Sequence, residues 1–194
     1  MQDIYEALPY AVRSRLGRMR QKADRERSLL GYLIAARGIE YFGVDHLDWR
    51  HLRWSEFGRP SLPLGIDFNI SHAGDRVICA VTAGGTVGVD IEPLRQLDLN
   101  GMDQYMNVEQ WREISCSANA SEMFLRYWTL KESVVKCEGT GLSLPVQEIE
   151  IAGGQASLAG RVWYVQELPI TDGFVAALAA SAAVGHLDVN HWQT

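Results

Sequence analysis

The sequence predicts an α+β fold of helices and mostly antiparallel strands, on three observations. Two long stretches carry helical periodicity and stop signals, at least six short segments alternate or run apolar as strands do, and no repeat, low-complexity tract or linker divides them. At 194 residues the chain can build one substantial core, or two small lobes that share one.

Asp24 through Phe42 (DRERSLLGYLIAARGIEYF) begins with a capping residue, carries Leu30, Leu33 and Ile34 on one face and ends before Gly43. Gly58-Arg59-Pro60 and Pro63 then break the chain into a loop. Asp67-Phe68-Asn69-Ile70-Ser71-His72 alternates as a strand, and residues 77–82 and 86–91 read as two more, separated by Ala83-Gly84-Gly85. Those glycines suit either a tight reversal or a crossing between lobes. Asn119 with Glu122 predicts a capping box opening a helix to about Glu138, stopped by Gly139, with Met123, Tyr127, Leu130 and Val134 as its apolar stripe. Strands are expected again at 148–151, 162–168 and 174–178.

Net charge is −6, yet between Arg13 and Arg27 seven basic residues face two acidic ones, a local balance of +5 that leaves −11 to the remainder. Such a chain is a poor general nucleic-acid binder, while the patch could hold a discrete polyanion; a solvated helix face with Arg–Glu pairing reads equally well. Three scattered cysteines (Cys79, Cys116, Cys137) indicate neither a disulfide framework nor a zinc knuckle. The first residues show no signal-peptide pattern, and the apolar run Phe174 to Val184 is too short to span a bilayer. The expectation is a cytoplasmic protein with no membrane or nucleic-acid partner.

Residues two apart in a strand share a face, so Asp90 and Glu92 in Val-Asp-Ile-Glu present paired carboxylates while Val89 and Ile91 point inward. A hard divalent cation between them would relieve their repulsion and keep positions open for phosphate oxygens. Two exposed acids at a strand end are the plainer alternative. Trp128, Glu132 and Lys136 are successive i, i+4 neighbours on the long helix. They make either a surface Glu–Lys pair beside a half-buried Trp, or a third metal ligand or general base (Glu132) with a phosphate-binding cation (Lys136). Ser71 and His72 cannot form a hydrolase dyad, since neighbours in a strand point to opposite faces and no elbow glycines flank the Ser. His72 at a strand end can instead donate to a phosphate oxygen.

Together, Phe57-Gly58-Arg59-Pro60, Phe68 to Gly74 (FNISHAG), Val87 to Glu92 (VGVDIE), Trp128 to Lys136 (WTLKESVVK) and Gly139 to Pro145 (GTGLSLP) resemble the phosphopantetheinyl transferase superfamily. The likeness is to its larger monomeric type, which activates polyketide and non-ribosomal peptide synthetases. Order and spacing agree from about Arg13 to Pro145; beyond that the match is to generic strands.

The resemblance implies magnesium-dependent transfer of the 4'-phosphopantetheine arm of coenzyme A to a serine of an acyl or peptidyl carrier protein, with release of adenosine 3',5'-bisphosphate. Manganese is an alternative to magnesium. It implies Asp90, Glu92 and Glu132 as metal ligands, Glu132 and Lys136 as catalytic residues, and Lys136 at the pyrophosphate. Ser71 and His72 would meet the coenzyme A phosphates, Arg59 would stand beside the adenine, and Arg15 and Ser28 near the 3'-phosphate. The implied fold is two similar α/β lobes related by a pseudo-twofold axis, residues 1–86 and 87–194, in a monomer. Tyr105, Met106 and Trp111 would form either an apolar carrier-docking surface or core. A non-catalytic coenzyme A sensor is a rival that predicts loss of a ligand or of Lys136, and none is lost.

Overall fold

The computed structural model describes residues 2–191 apart from 46, 64 and 171. Three helices come first, α1 (Gln2–Ala7), α2 (Tyr10–Gly17) and α3 (Lys22–Tyr41), then the short pair β1 (Arg53–Trp54) and β2 (Pro60–Ser61). The hairpin β3 (Asp67–Ala73) and β4 (Arg76–Thr82) leads to β5 (Val87–Pro93), α4 (Val108–Cys116) and α5 (Ala120–Glu138). Four strands close the chain: β6 (Glu150–Ala152), β7 (Gln155–Leu158), β8 (Arg161–Glu167) and β9 (Phe174–Ala180). The α+β expectation holds, and every strand pairing is antiparallel.

The basic stretch is not one helix, because α2 ends at Gly17 and α3 begins at Lys22. Asp24, expected as the cap, lies inside the first turn of α3 and pairs with Arg27, while Lys22 pairs with Glu26. The alternative of local ion pairing is therefore partly realised. α3 lies against the β3–β4 hairpin, and Ala35 and Ile39 bury there with Leu8, Val12, Leu16, Trp49 and Phe68.

The glycines at 84 and 85 make a crossing, not a reversal: β4 pairs with β3, whereas β5 edges a five-stranded sheet of order β5-β9-β8-β7-β6. β5 still meets β3, through side chains. Asp67 accepts a hydrogen bond from the Val87 N–H at 2.8 Å and Asn69 accepts one from the Val89 N–H at 3.0 Å. Alternate residues of β3 thus satisfy backbone donors on the open edge of β5, which would otherwise be buried without partners.

α5 crosses the sheet and buries Leu130, Val134, Val135 and Cys137 against Ile149, Ala156, Trp163, Val165, Ala177 and Ala179. Each fully buried aliphatic side chain there contributes roughly 1.5–3 kcal/mol. Met123 and Tyr127, predicted to share that stripe, pack instead in a second cluster around Met106, Ile114 and Phe124, because the 19-residue helix outruns the sheet. Its predicted capping box is half formed: Asn119 accepts from the Glu122 N–H, but the Glu122 carboxylate takes the Asn119 amide and Arg126. The complete reciprocal box stands at Asn107 and Gln110, opening α4. Gly139 ends α5 in the left-handed region (φ 76°), donating to Val135 O, as a helix-stopping glycine should. Among the described residues no helix is long and apolar enough to cross a membrane.

Candidate active site

The geometry starts at Gly88. A Cβ built there would stand 2.0 Å from Ser133 O and 2.3 Å from Cys137 N, so only glycine lets α5 lie directly on β5. The same face of β5 carries Asp90 and Glu92, and the same edge of α5 carries Glu132 and Lys136. Val89 and Ile91 are buried on the opposite face, as their alternation predicts.

At the crossing, Lys136 Nζ donates to Asp90 Oδ1 at 2.6 Å and to Ser71 Oγ at 2.8 Å, and Ser71 donates to the same Asp90 oxygen at 3.0 Å. β3, β5 and α5 therefore converge on one buried carboxylate. Its second oxygen, Oδ2, is buried without a hydrogen-bond partner. The Glu92 carboxyl is pushed up by burial and by the Asp90 charge, with Arg95 opposing from 3.3 Å. Burial and then Asp90 push Glu132 up as well, while Lys136 pulls it down. The three acids thus sense one another. Among the described residues, no group of three or more His, Cys, Asp or Glu side chains is arranged to hold a metal ion as it stands.

A cleft of about 280 Å3 opens beside this cluster, lined by Gly58, Arg59, Pro60, Asn69, Glu132 and Lys136 among others. The Arg59 guanidinium is already engaged. It forms a two-pronged pair with Asp67 (2.9 and 2.5 Å) and also donates to Val87 O and Lys136 O. It staples β3, β5 and α5 together, leaving its aliphatic stem to pack beside Gly139. His72 is exposed at the end of β3, and partial burial followed by the positive charges of Arg27 and Lys136 holds its pKa below the usual imidazole value. Arg15 reaches the Gly58 loop, and burial pushes the Tyr32 hydroxyl up against the opposing charge of Arg15. Ser28 donates to Met19 Sδ at 3.6 Å, so like Ser71 it is turned to a neighbour in its own fold. Of the predicted docking residues, Met106 is buried, Trp111 packs in the Ile114–Phe124 cluster and Tyr105 lies edge-on to Trp128.

Lys131 escaped the sequence analysis. It is fully buried beside Glu132 and donates to Tyr105 O at 3.0 Å and Val146 O at 2.7 Å, tying two loops to the middle of α5. The signal was its position, one turn before the buried Val134 and Val135. Desolvation lowers its pKa from 10.5 to about 8. A neutral amine keeps two N–H groups, enough for both carbonyls. Below pH 8 folded and unfolded chains both hold the proton and the burial cost is complete. Between about 8 and 10.5 the unfolded chain alone holds it, so this residue makes stability rise with pH, by up to about 1.4 kcal/mol per unit. Denaturant unfolding across that window should show the rise in the native sequence relative to Lys131→Met.

The model of the 4'-phosphopantetheinyl transferase superfamily matches residues 86–179, which include Asp90, Glu92, Glu132 and Lys136. The 4'-phosphopantetheinyl transferase gsp of Aneurinibacillus migulanus is 31% identical over 68% of this chain and 56% of its own length. Sfp of Bacillus subtilis, also a 4'-phosphopantetheinyl transferase, is 29% identical over 87% of this chain and 80% of its own. The chain thus spans little more than half of the first relative. Among solved structures, Thermotoga maritima holo-[acyl-carrier-protein] synthase aligns over 48% of the chain and 61% of its own at 18% identity, with a TM-score of 0.38.

Proposed function

The chain belongs to the 4'-phosphopantetheinyl transferase superfamily, and on that premise we propose that it moves the 4'-phosphopantetheine arm of coenzyme A onto a serine of an apo acyl or peptidyl carrier protein. Adenosine 3',5'-bisphosphate leaves. The observation that carries this reading is the convergence of Asp90, Lys136 and Ser71 beside a cleft lined by Lys136 and Glu132.

Asp90, Glu92 and Glu132 suit magnesium, or manganese, in kind: all offer hard oxygens, and the buried Asp90 Oδ2 lacks a partner. When bound, such an ion would offset charge on the diphosphate of coenzyme A. The chain's own residues do the rest. Lys136 has a cation within reach of the diphosphate and stabilises the leaving oxygens. Ser71 and His72 hold the phosphates from the end of β3, and Arg15 in the +5 stretch with Ser28 just after it receives the 3'-phosphate. Arg59, its guanidinium committed to Asp67, offers the adenine its stem beside Pro60. Glu132 accepts the proton of the attacking serine, a role favoured by a carboxyl whose pKa burial already raises.

The same reading divides the chain into lobes 1–86 and 87–194 about a pseudo-twofold axis, in a cytoplasmic monomer with no nucleic-acid partner. Its support is that α3 lies on the antiparallel strands β3 and β4, as α5 lies on β5 and β9. Incubation of the protein with coenzyme A, magnesium and an apo carrier tests the reaction by the mass of the carrier, which should rise by one phosphopantetheinyl group.

A further inference from the structure

Lys136 stands where a cation is needed. Its ammonium touches Asp90 Oδ1 and Ser71 Oγ, and Ser71 closes the triangle on the same carboxylate oxygen. The Asp90 side chain is only 7% exposed, so this ammonium is the ion pair that keeps its charge tolerable in the interior. A divalent cation approaching Asp90 meets that fixed positive charge at the first oxygen. The second, inner oxygen has no partner.

We propose that Lys136 is a resident counter-ion that a divalent cation must displace, so that the protein takes up metal together with a diphosphate ligand rather than before it. Two cations on one carboxylate repel at a distance where the interior screens poorly. A diphosphate removes the conflict by giving the lysine a new anion. The flexible four-carbon stem lets Nζ turn from Asp90 to a phosphate oxygen while α5 stays in place. This inference rests on the transferase reading for the identity of the diphosphate as that of coenzyme A.

The test titrates Mn2+, followed by its electron paramagnetic resonance signal, into the native protein with and without coenzyme A, and into Lys136→Met and Lys136→Arg without it. Coenzyme A should tighten Mn2+ binding to the native protein at least about tenfold, as removal of a neighbouring like charge would. Lys136→Met alone should bind Mn2+ at least about tenfold more tightly than the native protein alone, and Lys136→Arg, which keeps the charge, should not. Equal Mn2+ affinity with and without coenzyme A, or no gain in Lys136→Met, overturns the proposal. If Lys136→Met melts too early to titrate, the native pair of titrations decides. Failure of the transferase reading would look different: the carrier would gain no mass, whatever the Mn2+ affinities.

Discussion

Glu132→Gln lowers the rate of transfer by about 10²–10⁴-fold, the loss expected when a positioned general base is removed. Coenzyme A binding in the absence of metal and the melting temperature stay near those of the native protein. The substitution is nearly isosteric, and the charge that it removes is already disfavoured by burial and by Asp90, so the fold loses no stabilising ion pair. A calorimetric titration with coenzyme A and a thermal melt separate lost chemistry from lost structure. Near-native turnover in this variant would remove Glu132 from the mechanism.

Gly88→Ala produces the largest effect on the fold. The atoms it would meet, Ser133 O and Cys137 N, are backbone of α5, and neither can rotate away. Either β5 or α5 must shift. Overpacking of this kind costs about 1–3 kcal/mol, and more where backbone has to move, so a loss of about 3 kcal/mol in denaturant unfolding is expected. Transfer per folded molecule should fall as well, because a lifted α5 carries Lys136 away from Asp90 and Ser71. Unchanged stability would mean that the helix does not depend on this close approach.

Much of the site was legible because it is written locally. Alternation along Asp67 to His72 and along Val87 to Glu92 fixes which side chains share a face, and the i, i+4 spacing of Trp128, Glu132 and Lys136 fixes a helical edge. Gly139 as the end of α5 follows from backbone sterics alone. What was not legible depends on partners distant in the chain. That Lys136 rests on Asp90, 46 residues away, cannot be read from either segment. Nor can the two-pronged pair of Arg59 and Asp67, which commits the guanidinium inside the fold once β1 and β2 bring the loop back to β3. The Gly84-Gly85 ambiguity was settled by β9, whose run of alanines pairs with β5 and draws it out of the β3–β4 hairpin. The four residues of β7 (Gln155-Ala-Ser-Leu) are too few for a periodic signal, and become a strand by lying between β6 and β8. Asn107 and Gln110 did fit the capping rule and open α4, a start signal that went unused.

The measurement that bears most directly on the central claim is the intact mass of an apo carrier protein after incubation with this protein, coenzyme A and magnesium, beside the same carrier with its acceptor serine replaced by alanine. The first carrier should gain the mass of one phosphopantetheinyl group and the second should gain nothing. An unchanged mass across a panel of carriers, or an equal gain on the serine-free carrier, would contradict it.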